Sequence, residues 1–205
     1  ATRQHSRGDF KTASDRYQGI LDAPVVSQTV REATRRKLTL AEDKQLISTA
    51  YDMYRRARDS NYVTDRFEYY VEGYELYPYD ERFVSGVASS AQDLLDWAKR
   101  QHNKGDFATA IDRADRILNA VGVPQNIAKE AEALKQGGLA DKTFHEASKK
   151  EYVTDRFEAF VEGYKAYPND QRFVDGINSS ALDLLNWATR QHSRGDFKTA
   201  SDRYQ

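Results

Sequence analysis

Apolar residues along this chain recur every three or four positions, and no stretch alternates with period two long enough to read as a strand. After "YPYD", Phe83, Val84, Val87, Ala91, Leu94, Leu95 and Ala98 form one stripe. They predict a long helix over about 81–104, capped by Asp80 and ended at Gly105. Asp106 then caps a second helix over about 107–120, built on Phe107, Ala110, Ile111, Ala114, Ile117 and Leu118, so "GD" is a tight corner between antiparallel helices. A third helix follows Pro124 on Ile127, Ala131 and Leu134, and Gly137 with Gly138 is expected to stop it. A fourth covers about 139–150, or 41–61 in an earlier copy. The fifth opens at "TDRFE", where Asp155 and Glu158 have capping-box spacing, and it ends at "YPND". The pattern predicts an all-α protein.

The same pattern returns along the chain. Residues 62–115 align without gaps to 152–205, with 36 of 54 positions identical, and residues 1–18 return unchanged at 188–205. The offsets are 90 and 187, so the first and second copies lie 97 apart, and the difference falls between "LAED" at 40–43 and Tyr62. The expected organisation is one continuous array: a first unit at 1–79, a second at 80–169 and the start of a third at 170–205, as a window on something longer. Gly73, Gly86, Gly163 and Gly176 fall inside helices, where each costs about 1 kcal/mol relative to alanine. They are expected where a neighbouring helix packs against bare backbone.

"LLDWAKRQHNKGDFATAIDRADRIL" resembles the paired helices of a tetratricopeptide repeat. Trp97 and Ala98 stand at its large-then-small positions, "GDF" at its corner and Ala110 at its small position. In "GDFKTASDRYQGILDAP", Ala13, Tyr17, Ile20 and Pro24 fall close to the family's small, aromatic, apolar and terminal-proline positions. The resemblance implies a TPR-like α-solenoid that binds protein or peptide, although a period of 90 or 97 residues departs from the family's 34. A fainter resemblance, carried by "LYPYDERFV" and "ILDAPVVSQTV", is to helical repeats appended to secreted Gram-positive cell-wall hydrolases. It implies an extracellular or wall-associated setting and an anionic wall polymer as ligand.

Composition narrows the chemistry. With 31 basic and 32 acidic residues the net charge is -1, so no overall field draws in nucleic acid. No apolar run approaches a membrane span, and the absence of cysteine excludes disulfides and thiolate metal sites. His5, His102 and His192 occupy one repeat position in the last turn of the long helix, where a partly charged imidazole suits the helix dipole; His145 stands apart. Glu68 with Glu72, and Glu158 with Glu162, lie one turn apart, and are read as a solvated face near Arg66 and Arg156. "SGVASSA" and "DGINSSA" carry no nucleophile elbow, and Ser89 and Ser90 are expected on the flank of the long helix. No catalytic, cofactor or metal site is expected.

Two surface features are the candidates for binding. Tyr69 and Tyr79 face Ala159 and Asn169 in the other copy and are the expected exposed aromatic pair, whereas Tyr70, Tyr74 and Tyr77 suit a buried stripe. Arg31, Arg35, Arg36, Lys37, Arg55, Arg56 and Arg58 are expected on two successive helices, forming a basic patch if those helices share a face. The function expected is a non-catalytic spacer or binding scaffold, with a dedicated peptide-binding module as the rival and an accessory region of a wall hydrolase behind it. Weak head-to-tail self-association through the two ends is expected as well.

Overall fold

The computed structural model describes residues 8–196 and 198, and among these every regular element is helical. In chain order they are α1 (Phe10–Asp22), α2 (Gln28–Asp59), α3 (Val63–Leu76), α4 (Glu81–Asn103), α5 (Phe107–Asn119), α6 (Gln125–Ser148), α7 (Val153–Ala166) and α8 (Gln171–Ser193). His5 and Phe197 lie outside the described residues, as do the chain ends on which self-association was expected.

Most caps follow the sequence. The first amides of a helix lack intrahelical partners, and Asp9, Asp106 and Asp170 each accept one on a side-chain oxygen, from Thr12 N at 3.2 Å, Thr109 N at 3.1 Å and Arg172 N at 3.1 Å. Asp80 accepts from Arg82 N at 3.0 Å, and Ser27 starts α2 through Val30 N at 3.4 Å. Gly105 takes φ +81° at the corner before Asp106, a conformation only glycine adopts without strain. The fifth predicted helix starts differently. α7 opens at Val153, where Arg156 N bonds Tyr152 O at 3.0 Å, and Tyr152 as N-cap makes no side-chain cap bond. Asp155 therefore sits inside the first turn, where it complements the dipole, and the expected capping box does not form.

The predicted third and fourth helices are one. Gln125–Ser148 runs unbroken through Gly137 and Gly138, and Gln28–Asp59 runs unbroken through "LAED", so each repeat has four helices rather than five. Gly138 is buried, and a Cβ there would stand 3.2 Å from Ile111 Cγ1, so tight packing of α5 against α6 takes up the flexible pair. α2 has 32 residues and α6 has 24. The seven-residue difference between the offsets of 97 and 90 is two helical turns, which returns the chain to nearly the same face. Accordingly Ala50 and Ala57 are buried in the longer helix, as are Ala140 and Ala147 in the shorter.

Packing divides the chain into two compact units, one of residues up to Asp96 with Ile117–Ala128, the other of Trp97–Arg116 with Lys129 onward. In the first unit, α3 and α4 interlock: a Cβ on Gly73 would collide with the Phe83 ring, and one on Gly86 with the Tyr70 ring. Each helix thus offers the other a glycine socket for an aromatic ring. The second unit repeats the lock between α7 and α8, with Gly163 against Phe173 and Gly176 against Phe160, 2.7 Å from the would-be Cβ to Phe160 Cδ1. The lock also buries Ser90 and Ser180, which donate to Gly86 O at 2.6 Å and Gly176 O at 2.7 Å. Ser90 is therefore core rather than flank, its hydroxyl satisfied by the preceding turn. Most of the predicted α4 stripe is buried, but Val84 is exposed.

Candidate functional site

Each candidate side chain is held by the helix that carries it, and the structure redistributes the basic ones. Arg31 is not a surface cation. Its guanidinium donates to Leu21 O at 2.6 Å, Ala23 O at 2.8 Å and Val26 O at 3.3 Å, which ties off the carbonyl end of α1. Arg35, Arg36, Arg55 and Arg56 are exposed, but all four lie on the single helix α2. Nineteen residues separate Arg36 from Arg55, about 28 Å at 1.5 Å per residue, so they form two clusters and the expected single patch does not exist. Arg55 pairs with Asp52 at 3.1 Å and Arg58 with Asp59 at 2.9 Å.

The two tyrosines also part company. Tyr79, in the turn before α4, is 96% exposed. Tyr69 is half-buried, with the Arg56 guanidinium 5.9 Å from its ring centroid, so the expected exposed pair reduces to Tyr79. Arg66 and Arg156 share α3 and α7 with the glutamate pairs. They reach across to the long helices, Arg66 to Asp93 at 2.7 Å and Arg156 to Asp183 at 3.1 Å, the same contact in both copies.

A polar chain that the sequence reading missed joins three helices of the second unit. Arg172 on α8 contacts Asp170 Oδ2 at 2.6 Å and Asp141 Oδ1 on α6 at 2.6 Å; Asp141 Oδ2 lies 2.8 Å from His102 Nε2 on α4, off the line of the ring N–H. The Arg172 hydrogen bond holds the Asp170 carboxyl below the usual carboxylate range, and Arg172 itself is pushed up mainly by Asp170. The other side of His102 meets Phe107, whose ring also lies edge-on to His145. His102 Nε2 makes no hydrogen bond, so the firm ties in this chain of groups are those of Arg172 to the two carboxylates. In the first unit Arg82 occupies the position of Arg172 and stacks over Tyr51 and Tyr54 at 5.8 and 5.3 Å. The available signal was "DERF" against "DQRF", an arginine two residues after the helix cap in both copies. Among the described residues no three histidine, aspartate or glutamate side chains converge as a metal site requires, and no helix is long and apolar enough to cross a membrane.

Three concave surfaces lie on the separate units. One of about 570 Å³ runs between the end of α6 and the face of α7, floored by Ala147, Ala159 and Gly163 and rimmed by Glu146, Lys149 and Glu162. A second, of about 410 Å³, is lined by Tyr152, Asp155, Leu184 and Trp187, and a third of similar size by Phe10, Lys44, Ile47 and Tyr51. No protein family, no curated protein and no solved structure matches this chain.

Proposed function

We propose that this chain is a non-catalytic helical repeat scaffold, TPR-like in the sense of stacked antiparallel helices, that presents side chains to a protein or peptide partner. The observation that carries the reading is the contrast between framework and surface. The glycine–aromatic lock and the Arg–Asp tie to the long helix recur in both copies. Exposed positions change instead: Glu75 becomes Lys165, and Tyr79 becomes Asn169. A framework that stays fixed while its surface varies in size and sign supports binding through the surface, with the spacer role as the simplest version of it. An anionic wall polymer is the second ligand class, favoured by the exposed Arg35, Arg36, Arg55 and Arg56.

The experiment is a binding screen of the whole chain against helical peptides, peptidoglycan and teichoic acid. Retention of one class selects the partner, retention of none leaves the spacer, and turnover of any wall substrate overturns the non-catalytic reading.

A further inference from the structure

The groove between α6 and α7 has a counterpart on the other copy, and the two differ in what fills them. Its floor in the second unit is two methyl groups and a glycine. Ala147 is 2% exposed, and Ala159 packs against the cluster formed by Ala147, Phe160 and Phe173. Gly163 is closed to any side chain, because a Cβ there would strike Phe173. The floor is therefore an apolar surface over an aromatic cluster. In the first unit the positions of Ala147 and Gly163 are again small, Ala57 and Gly73, both buried. The positions of Ala159 and Glu146, however, carry Tyr69 and Arg56, a half-buried phenol with a guanidinium stacked over it at 5.9 Å. One copy thus brings its own aromatic ring and cation to a site that the other leaves open, with a carboxylate where the cation stood.

We propose that the open groove is a docking site for a tyrosine side chain on a peptide segment of a partner protein, with a neighbouring arginine of that segment set against Glu146; this deepens the scaffold reading and rests on it. The ring lies on Ala147 and Ala159, where the chain itself puts a phenol in the other copy, and the phenolic oxygen reaches the exposed Lys149 at the rim. Glu162 is held by Lys165 at 2.6 Å, whereas the nearest cation to Glu146 is Lys142 at 4.0 Å, so Glu146 is the carboxylate open to a guanidinium.

The test titrates the whole chain, isotope-labelled for NMR, with N-acetyl-arginyl-tyrosine amide and, in parallel, with N-acetyl-arginyl-alanine amide. The tyrosine peptide is expected to shift Ala147, Ala159 and Gly163 with a dissociation constant on the order of 1 mM, and the alanine peptide to leave them in place. Glu146→Arg with Ala159→Tyr copies the filled site into the second unit and is expected to weaken binding at least about tenfold, the loss of about 1.4 kcal/mol. Arg56→Glu with Tyr69→Ala opens the first unit, whose rim carries Asp59 where the second has Lys149, and is expected to add a second, weaker site. Both variants use residues that the other copy already tolerates, and circular dichroism checks that they fold. No shift at these residues up to about 20 mM peptide, or shifts indifferent to the filled variant, overturns the proposal. Shifts elsewhere on the surface overturn the groove while leaving the scaffold reading intact. Groove shifts that grow with protein concentration alone and vanish in Tyr79→Asn assign the groove to a second copy of this chain, which also overturns the peptide claim.

Discussion

Glycine does opposite things at two positions of the second unit. At Gly163 the missing Cβ is space already filled by Phe173, whereas at Gly137, in the interior of α6, an added Cβ meets nothing within 4 Å. Gly163→Ala is expected to destabilise by about 1–3 kcal/mol through overpacking, and Gly137→Ala to stabilise by about 0.5–1 kcal/mol through helix propensity, both read from thermal unfolding. The Asp170–Arg172 pair makes a second residue-scale prediction. A carboxyl whose folded pKa is depressed contributes stability that is present above its unfolded value of about 3.9 and lost as pH falls through the folded value. Unfolding midpoints are therefore expected to drop on acidification below about pH 4, and Arg172→Lys, which cannot reproduce the paired contact, is expected to raise the Asp170 pKa towards the ordinary value in an NMR titration. Arg31 illustrates what local pattern hides. Its three carbonyl acceptors lie five to ten residues earlier, across the turn between α1 and α2, and nothing in "VREATRRKL" distinguishes it from its exposed neighbours.

Most helix boundaries decided by one residue were legible, the start of α7 at Val153 rather than after Asp155 being the exception. Asp80 and Asp106 cap, Gly105 turns, and the GD corner stands where the sequence put it. The break at Gly137–Gly138 was misread because glycine stops a helix only when nothing outside it prevents fraying, and Ile111 lies against Gly138. The groove between α6 and α7 escaped the sequence reading for a related reason. Tyr69 looked like an exposed ligand-binding residue, but Arg56, thirteen positions earlier, stacks on it across the turn between α2 and α3. The seven-residue difference between the repeat offsets, which falls on α2 against α6, gives the element-scale prediction. Deleting residues 42–48 removes seven residues, rotating the rest of α2 by only about 20°, and is expected to preserve helicity and cooperative unfolding; deleting five rotates it by about 140° and is expected to abolish both.

For the molecule as a whole, circular dichroism is expected to report well over about 60% helix, far above the typical third, and a clear strand signal would contradict the fold. Leu182 and Leu185 on α8 are 58% and 52% exposed, while Leu95, the counterpart of Leu185 on α4, is fully buried. That apolar face supports head-to-tail self-association as a proposal. Light scattering is expected to give a mass that rises with concentration, and Leu182→Glu with Leu185→Glu to hold it at the monomer value. A constant mass for the unaltered chain would sink the idea.

The paired glycine sockets also bear on how the chain finds its fold. Gly73 receives Phe83 from ten residues away and Gly86 receives Tyr70 from sixteen, so each helical hairpin closes over a short loop and forms early and fast. Speed has a hazard attached, because the two hairpins are near copies: Gly73 and Gly163 receive a phenylalanine ring from the same repeat position, Phe83 and Phe173. A mispaired α3–α8 hairpin is therefore expected to compete with the native one during refolding, leaving the discrimination to slower events over longer loops. Kinetic traps of this kind are expected as a slow refolding phase, and making the two locks dissimilar, so that one socket no longer accepts the other's ring, is the change that would remove it.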